Sequence, residues 1–274
     1  MLITELSKIF KFINQYKNVL IHTDVLKSVI IKTGSRQEFL NNHYHFLNKN
    51  IFDTQILFPS FNYDFCRNGI YNMKEDQIKV GILNEHIRNN YFEYRTPVPI
   101  FSFISKMNAI NFDIDYKKDI DPFNQNSLFE YLYNDQSCLF HYGSDFSATT
   151  LIHYSERIFG GLVYRYDKFF EGKIIDLNKN ITKVKVKYHV RPMNFDAEYD
   201  WDKIKSDLKQ NNLILEYKDK RTVLTCFCIK DVVDYWLDNL KRDKLYFLKP
   251  EGKILVSNKL SSLGRKFELR DFEV

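Results

Sequence analysis

The sequence predicts an α/β/α sandwich, an α/β fold with a central mixed sheet and an antiparallel-rich second half. Helical and strand periods of apolar residues alternate before Gly160, and strand-like segments dominate after Gly161. The chain has 274 residues, 44% hydrophobic and 27% charged, with only 9 Gly and 6 Pro, which excludes disordered and collagen-like classes. We expect residues 1–274 to form a single domain.

Helices and strands alternate in the first part of the chain. The spacing predicts a helix over residues 2–15 and a short apolar strand over 19–21. Thr23 or Asp24 can cap a helix that follows this strand, and Ser127 with Glu130 forms a capping box for the helix through residue 133. The other predicted elements are helices over residues 37–47, 78–89 and 147–159, and strands over 55–58 and 138–141.

Strand patterns prevail after Gly161. Over residues 182–190, three lysines alternate with two valines and a tyrosine, so we place the valines inward and the lysines toward solvent. The other predicted strands cover residues 162–166, 173–177, 213–217 and 223–229, and helices are predicted over 201–208 and 231–240. This part of the chain makes the sheet mixed.

Several motifs that define large enzyme classes are missing. The sequence has no GxGxxG, GxxxxGK[ST], GxSxG or HExxH, which argues against dinucleotide-binding, P-loop, serine hydrolase and zinc protease functions. Its cysteines form no CxxC pair, so we expect no metal site and a reducing cytoplasm. No apolar run approaches the roughly 18 residues of a spanning helix, and the N-terminus lacks a signal peptide's order. We expect a cytoplasmic protein without a membrane partner.

His153 and Glu156 are the most informative polar pair. Positions i and i+3 of a helix share a face, so the carboxylate can reach the imidazole ring and fix its tautomer. Such a ring can act as a general base. A solvated ion pair is the alternative interpretation. The setting favours catalysis, because a strand and a Gly-Ser-Asp turn precede the helix and place its start at the edge of the sheet.

A second candidate site lies where the strand over 19–21 gives way to the next predicted helix. Thr23 and Asp24 stand at that boundary, and free backbone N–H groups at a helix start can bind an anion. An ordinary helix cap is the alternative, since nearly every helix needs one.

Four segments together resemble the family of aminoglycoside 3-N-acetyltransferases, also called antibiotic acetyltransferases. Residues 21–28 are similar to that family's His-Ser-Ser-Leu segment. Residues 56–61, then 81–88 with 95–102, then 143–156 follow in the family's order. The resemblance covers roughly the first 170 residues of the chain.

The resemblance implies an acyl-coenzyme A-dependent N-acyltransferase that transfers the acyl group directly. It implies that His153 and Glu156 are the catalytic pair, with His153 accepting a proton from the acceptor amine. Thr23 stands where the family has serine and is a candidate to stabilise the oxyanion. Coenzyme A is expected to bind at Thr23 and Asp24 and at the loop that holds Asn124 and Ser127, with no metal involved.

The acceptor segment departs from the family pattern. The family's Arg-Ser-x-His-Pro-x-His-Ser is replaced by residues 95–102, in which Val98 and Phe101 stand for the two histidines. Aromatic rings stack on bases and arginine pairs with phosphate, which suits a nucleotide. The main prediction is therefore a nucleotide-linked amino sugar. The resemblance implies which one, because a branch of the family acylates deoxythymidine-diphosphate-linked 3-amino-3,6-dideoxyhexoses with acetyl or 3-hydroxybutanoyl for lipopolysaccharide or capsule. The predicted substrate-binding residues are Phe61, Tyr63, Phe65, Arg67 and Arg95.

Two other functions stay open at this stage. An aminoglycoside 3-N-acetyltransferase would need a cleft lined by Asp and Glu, because its substrate is a polycation. A nucleic-acid-binding protein could use the lysines of residues 182–190, but 35 acidic residues nearly balance 40 basic ones, which argues against a nucleic-acid partner. A homodimer is possible.

Overall fold

The computed structural model describes residues 2–29, 31, 34–106 and 114–273. Nine helices lie within these ranges: α1 Leu2–Ile13, α2 Arg36–Asn50, α3 Phe65–Asn68, α4 Ile82–Asn90, α5 Leu128–Asn134, α6 Leu151–Ile158, α7 Trp201–Gln210, α8 Ile229–Arg242 and α9 Pro250–Leu263. The same ranges contain ten strands: β1 Asn18–Thr23, β2 Gln55–Pro59, β3 Ile70–Asn72, β4 Tyr94–Arg95, β5 Phe103–Ser105, β6 Ser137–Tyr142, β7 Tyr166–Ile175, β8 Ile181–Val190, β9 Leu215–Lys218 and β10 Val223–Cys228.

A seven-stranded mixed sheet forms the centre, in the order β4-β5-β2-β1-β6-β10-β9. β1 pairs in parallel with β2 and β6, whereas β10 runs antiparallel to both β6 and β9. The buried run Val19, Leu20 and Ile21 of β1 is typical of a parallel strand covered on both faces. The predicted mixed sheet with an antiparallel-rich second half is confirmed.

Helices cover both faces of this sheet. Leu20, Leu139 and Phe227 point to one face, where they join a core with the apolar sides of α5, α6 and α8. Their neighbours Val19 and Phe140 point to the opposite face and pack against α1, α2 and α4. Because successive strand residues point to opposite sides, one apolar run feeds both cores, and the α/β/α sandwich is confirmed.

A smaller sheet of β3, β7 and β8 lies apart from the central one. Strand β7 has ten residues and forms an antiparallel hairpin with β8. It replaces the two shorter strands that the sequence predicted over residues 162–166 and 173–177. On β8, Val184 and Val186 are buried while Lys183 and Lys185 are exposed, as the alternation predicts. Helices α3 and α9 and strands β3, β4 and β5 had no counterpart in the sequence prediction.

The parallel strands β1 and β6 end at the same edge of the sheet, and short turns follow both. Asp24 begins only a three-residue 3₁₀ turn, Val25–Lys27, where the sequence predicted a helix. Gly143 follows β6 with φ of 81°, and a Cβ there would lie 2.0 Å from the Asp24 carbonyl oxygen. This close approach requires glycine. The helix predicted over 147–159 is a 3₁₀ turn, Phe146–Ala148, followed by α6.

No helix in the described part of the chain is long and apolar enough to cross a membrane.

Candidate active site

His153 and Glu156 lie one turn apart on α6 and are in contact. The Nδ1 atom of His153 is 3.0 Å from Oε2 of Glu156. The histidine side chain is 29% exposed, whereas the glutamate side chain is 1% exposed. A carboxylate can only accept hydrogen bonds, so Nδ1 carries the proton of the neutral ring and Nε2 keeps a free lone pair. The alternative of a solvated ion pair is inconsistent with a buried carboxylate.

Three further donors surround the buried Glu156 carboxylate. Arg165 Nε lies 3.1 Å from it, and the hydroxyl groups of Tyr164 and Tyr199 donate to Oε1 at 3.2 and 2.6 Å. Arg165 also contacts the Tyr199 hydroxyl and donates to the His189 carbonyl oxygen at 2.9 Å. A buried charge with so many donors is held in one orientation.

These contacts determine the protonation of the pair. Burial alone would raise the pKa of Glu156, but the Arg165 charge and the His153 hydrogen bond outweigh burial and lower it to about 2. Burial lowers the pKa of His153, the bond to Glu156 opposes that change, and the Arg165 charge adds to it. At neutral pH the pair is therefore a carboxylate beside a neutral imidazole, which is the form that can accept a proton.

A cavity of about 380 Å³ opens on one side of His153. Its walls combine apolar rings and chains with hydroxyl and amide groups, and His22 lies at its base with 6% of its surface exposed. Burial lowers the pKa of His22 to about 4, so this ring is neutral. The lining is His22, Thr23, Pro59, Phe61, Tyr63, Val80, Gly81, Asn84, Phe101, Ser144, Ser147, Ala148, Thr149, Thr150, Ile152, His153 and Trp201. We call this space the hydroxyl cavity.

A second cavity, of about 780 Å³, also borders His153. Four carboxylates line it, and three cationic side chains accompany them. The lining is Asp145, Ser147, His153, Arg165, Arg191, Glu198, Tyr199, Asp200, Trp201, Asp202 and Lys249. We call this space the acidic cleft. His153, Ser147 and Trp201 line both spaces, so the imidazole stands at their junction.

The predicted coenzyme A residues fall in three places. Thr23 lines the hydroxyl cavity, and Asp24 accepts a hydrogen bond from the Leu26 backbone N–H at 3.1 Å. The 3₁₀ turn that Asp24 caps has only three residues, so the expected helix start is not there. Asn124 and Ser127 line a separate cavity of about 250 Å³, which is bordered by Phe101, a ring shared with the hydroxyl cavity.

Two hydrogen bonds limit what Thr23 and Ser127 can do. The Asn84 amide nitrogen donates to the Pro59 carbonyl oxygen at 2.9 Å, so its oxygen accepts the Thr23 proton at 2.8 Å. Thr23 therefore offers lone pairs to the cavity, whereas an oxyanion needs a donor.

Ser127 caps α5 by accepting from the Glu130 N–H at 3.1 Å, which confirms this half of the capping box. Glu130 accepts from the Asn126 N–H at 2.6 Å.

The predicted acceptor residues do not gather at His153. Phe61 and Tyr63 line the hydroxyl cavity, the first with 4% and the second with 52% of its surface exposed. Phe65 is buried in the core beneath the small sheet. Arg67 is exposed and forms an ion pair with Asp64, so it projects away from both spaces beside His153.

Arg95 is a structural residue with no exposed surface. Its guanidinium donates to the backbone oxygens of Ser60 and Asp76 at 2.8 and 2.6 Å, and to the hydroxyls of Ser60 and Ser102. A buried arginine whose three guanidinium nitrogens all donate hydrogen bonds fixes the loops around it. It cannot reach a phosphate in either space beside His153.

Sequence reasoning missed Arg165, Tyr199, Trp201 and the four carboxylates of the acidic cleft. One signal was present: residues 198–202 read Glu-Tyr-Asp-Trp-Asp, an alternation of acidic and aromatic residues just before α7. Among the described residues no group of three or more His, Cys, Asp or Glu could hold a metal ion.

Comparison with solved structures identifies the class of fold. AAC-IIIb, in a binary complex with CoASH, aligns with a TM-score of 0.69 at 12% identity, over 90% of this chain and 97% of that one. A mutant of aminoglycoside acetyltransferase AAC(3)-IVa, in complex with a gentamicin, gives 0.68 at 16% identity over 90% and 91%. The YokD protein from Bacillus subtilis gives 0.62 at 14% identity over 88% and 94%. The chain has the fold of these three proteins.

A family model described as aminoglycoside 3-N-acetyltransferase matches residues 54–241, more than half of the chain. The chain therefore belongs to the aminoglycoside 3-N-acetyltransferase family and is an N-acetyltransferase. The family resemblance inferred from the sequence is confirmed, and so is coenzyme A as co-substrate. No curated protein sequence matches the chain.

The main prediction for the acceptor, a nucleotide-linked amino sugar for surface polysaccharide, is wrong. The matched family is that of aminoglycoside acetyltransferases, and the aminoglycoside alternative fits better. The structure supplies the physical reason. Arg95 is buried, Arg67 is paired with Asp64, and the open space beside His153 and Glu156 is lined by four carboxylates that would repel a diphosphate.

Proposed function

We propose that the protein transfers an acetyl group from acetyl-coenzyme A to an amino group of an aminoglycoside. The observation that carries the proposal is the junction at His153, where a cavity with few charges meets an acidic cleft. An acyl donor with a long flexible arm suits the first space, and a polycationic acceptor suits the second. Each substrate then reaches the same imidazole from its own side.

The charges of the acidic cleft support a cationic acceptor. The three cations of the cleft already have partners. Arg165 forms an ion pair with Glu156, and Lys249 lies 2.6 Å from Glu198. Arg191 donates to the Ala197 carbonyl oxygen at 3.0 Å. Within the described ranges Asp145, Asp200 and Asp202 form no ion pair. Asp145 and Asp200 each accept one backbone N–H, from Ser147 and Lys203, so these two carboxylates and Asp202 still have lone pairs to offer the ammonium groups of an aminoglycoside.

The lining of the hydroxyl cavity fits the arm of coenzyme A. Pro59, Phe61 and Val80 offer apolar contact to its methylene and methyl groups, and Thr23 and Asn84 offer hydrogen-bonding groups to its amides. Acetyl-coenzyme A would supply the acetyl group as a thioester. That Asp24, Asn124 and Ser127 contact its phosphates stays a prediction, as does the cytoplasmic location.

His153 is the catalytic base of the proposed reaction. Nε2 accepts the proton that the acceptor amine loses as its nitrogen bonds to the thioester carbonyl carbon. Glu156 holds the ring through Nδ1 and stabilises the imidazolium that forms. The carbon–sulfur bond then breaks, and His153 returns the proton to the leaving sulfur. No covalent acyl-enzyme is needed.

A thiol-release assay tests the proposal. The purified protein is incubated with acetyl-coenzyme A and kanamycin, gentamicin or apramycin, free thiol is followed with a chromogenic reagent, and the acetylated drug is identified by mass spectrometry. We expect thiol release that depends on the drug and is lost in His153→Ala. Release that is the same with and without every drug would overturn the proposal.

A further inference from the structure

Tyr199 belongs to two parts of the site at once. It lies in the connection between β8 and α7, where its backbone pairs with Leu248. Its ring lines the acidic cleft and packs edge-on against Trp201 and Phe247, at centroid distances of 5.3 and 6.2 Å. Its hydroxyl points inward and donates to Glu156. One side chain therefore connects the wall of the cleft with the catalytic pair.

The neighbours of the Tyr199 hydroxyl determine where its single proton goes. Arg165 can only donate, so the phenol oxygen accepts from Arg165 Nη2. Glu156 can only accept, so the phenol proton goes to Oε1 at 2.6 Å. Although His153 Nδ1 is 3.4 Å from the phenol, it cannot receive the same proton and instead donates its own to Oε2. This arrangement keeps the His153 proton on Nδ1.

Tyr164 provides a matched comparison within the same network. Its hydroxyl donates to the same Glu156 oxygen, at 3.2 Å. Tyr164 has no exposed surface, lines neither space beside His153, and packs in the core that covers one face of the central sheet. The two tyrosines share one hydrogen-bond acceptor, but only Tyr199 also faces the acidic cleft.

We propose that Tyr199 is a positioning residue that fixes the tautomer of His153 through Glu156. Through its ring, Tyr199 also couples this tautomer to binding of the acceptor. The part about the acceptor rests on the proposed function, because it requires the acidic cleft to take the aminoglycoside. An acceptor that packs against the Tyr199 ring strengthens the hydrogen bond from the Tyr199 hydroxyl to Glu156. The same side chain then affects both acceptor binding in the cleft and the fraction of His153 that carries its proton on Nδ1.

The first test is spectroscopic and needs no substrate. In protein labelled with ¹⁵N-histidine, the chemical shifts of the two ring nitrogens report the tautomer of His153, and His153→Gln identifies its signals. We expect an Nδ1–H ring in the native protein and in Tyr164→Phe. In Tyr199→Phe the Glu156 carboxylate loses its shortest hydrogen bond and can turn away from Nδ1, so we expect a mixture of tautomers. Native-like signals in Tyr199→Phe would overturn the positioning role.

The second test separates kcat from KM. We expect Tyr199→Phe to lower kcat by about ten-fold, the size expected for losing a hydrogen bond to a charged group. It should also raise KM for kanamycin and leave KM for acetyl-coenzyme A unchanged. Tyr164→Phe should lower kcat less and leave both KM values unchanged. Equal effects of the two substitutions would overturn the link to the acceptor.

The two tests keep this proposal separate from the proposed function. If the native protein does not acetylate any aminoglycoside, the proposed function and the link to the acceptor fail together, while the tautomer measurement still decides the positioning role. Thermal unfolding of both variants shows that each measurement is made on folded protein.

Discussion

The hydroxyl cavity and the acidic cleft share His153, Ser147 and Trp201 but differ in nearly everything else. The hydroxyl cavity is built from the ends of β1 and β2, the start of α4 and the turn into α6, and no carboxylate of the described residues lines it. The acidic cleft is lined by four carboxylates and three cations. Besides the shared residues, its lining is Asp145, Arg165, Arg191, Glu198, Tyr199, Asp200, Asp202 and Lys249. Two segments far apart in the chain thus give one imidazole two different surroundings.

On the proposed function, this difference means that local charge, and not net charge, selects the acceptor. The whole chain carries a formal charge of +5, yet the space beside His153 collects carboxylates. Fields from distant lysines are screened within about 10 Å at ordinary ionic strength, whereas the carboxylates act at contact distance. The comparison yields four predictions, which begin with the group that the two spaces share.

Removal of the shared base should have the largest effect. We expect His153→Ala to lower kcat by a factor of about 10² to 10⁴, the range for a positioned acid–base group. Both KM values should stay close to native, because the ring binds neither substrate tightly. The control is His45→Ala, at an exposed position on α2. Near-native turnover in folded His153→Ala would show that the junction of the two spaces is not where the chemistry occurs.

The buried carboxylate should give the second-largest effect, on stability. The pKa of Glu156 is lowered from 4.5 to about 2, so its ionised form stabilises the fold fully above pH 4.5 and this contribution is lost as the pH falls toward 2. The shift corresponds to about 3 kcal/mol. We therefore expect Glu156→Gln to lower the free energy of unfolding at neutral pH, and this deficit to shrink below pH 4.5.

Urea unfolding at a series of pH values measures this stability difference. The exposed Glu251, in the first turn of α9, provides the control substitution Glu251→Gln. A deficit for Glu156→Gln that persists unchanged at low pH would mean that packing around Glu156 matters and its charge does not.

A substitution confined to the cleft should affect only one substrate. We expect Asp145→Asn combined with Asp202→Asn to raise KM for kanamycin roughly three- to ten-fold at low ionic strength, and less at high salt. KM for acetyl-coenzyme A should not change. Asp238→Asn, an exposed position on α8, is the matched control. An equal rise in both KM values would contradict the separation of the two spaces.

The smallest effect on the kinetics is expected from a substitution in the hydroxyl cavity. Thr23→Val removes the 2.8 Å hydrogen bond to Asn84 and one polar group of the hydroxyl cavity. We expect KM for acetyl-coenzyme A to rise about three-fold, as for the loss of a neutral hydrogen bond. Steady-state kinetics with each substrate varied in turn measures the change. A larger change in KM for kanamycin would assign Thr23 to the acceptor instead.

The parts of the molecule that depend on near neighbours could be predicted from the sequence. His153 and Glu156 lie three residues apart, so helical geometry alone brings them together. The alternation on β8 likewise predicted that Val184 and Val186 face inward. The resemblance and the spacing of the apolar segments were sufficient for the sandwich.

The parts that depend on tertiary contacts could not. Arg165 and Tyr199 reach Glu156 from 9 and 43 residues away, and no local period links them. Arg95 looked available for a phosphate, yet loop carbonyls and hydroxyls distant in sequence bury it completely. The substrate was mispredicted for the same reason, since the composition of a cleft depends on which segments fold beside it.

The separate openings beside His153 also bear on the order of events in turnover. On the proposed function, neither substrate has to leave before the other arrives, because each has its own space and the two spaces meet at His153. On the proposed reaction, both substrates are therefore bound together when the acetyl group moves. Reciprocal plots of initial rate at several fixed acceptor concentrations should intersect, whereas a ping-pong route through an acyl-enzyme gives parallel lines. Labelled coenzyme A should likewise exchange into acetyl-coenzyme A only when the acceptor is present.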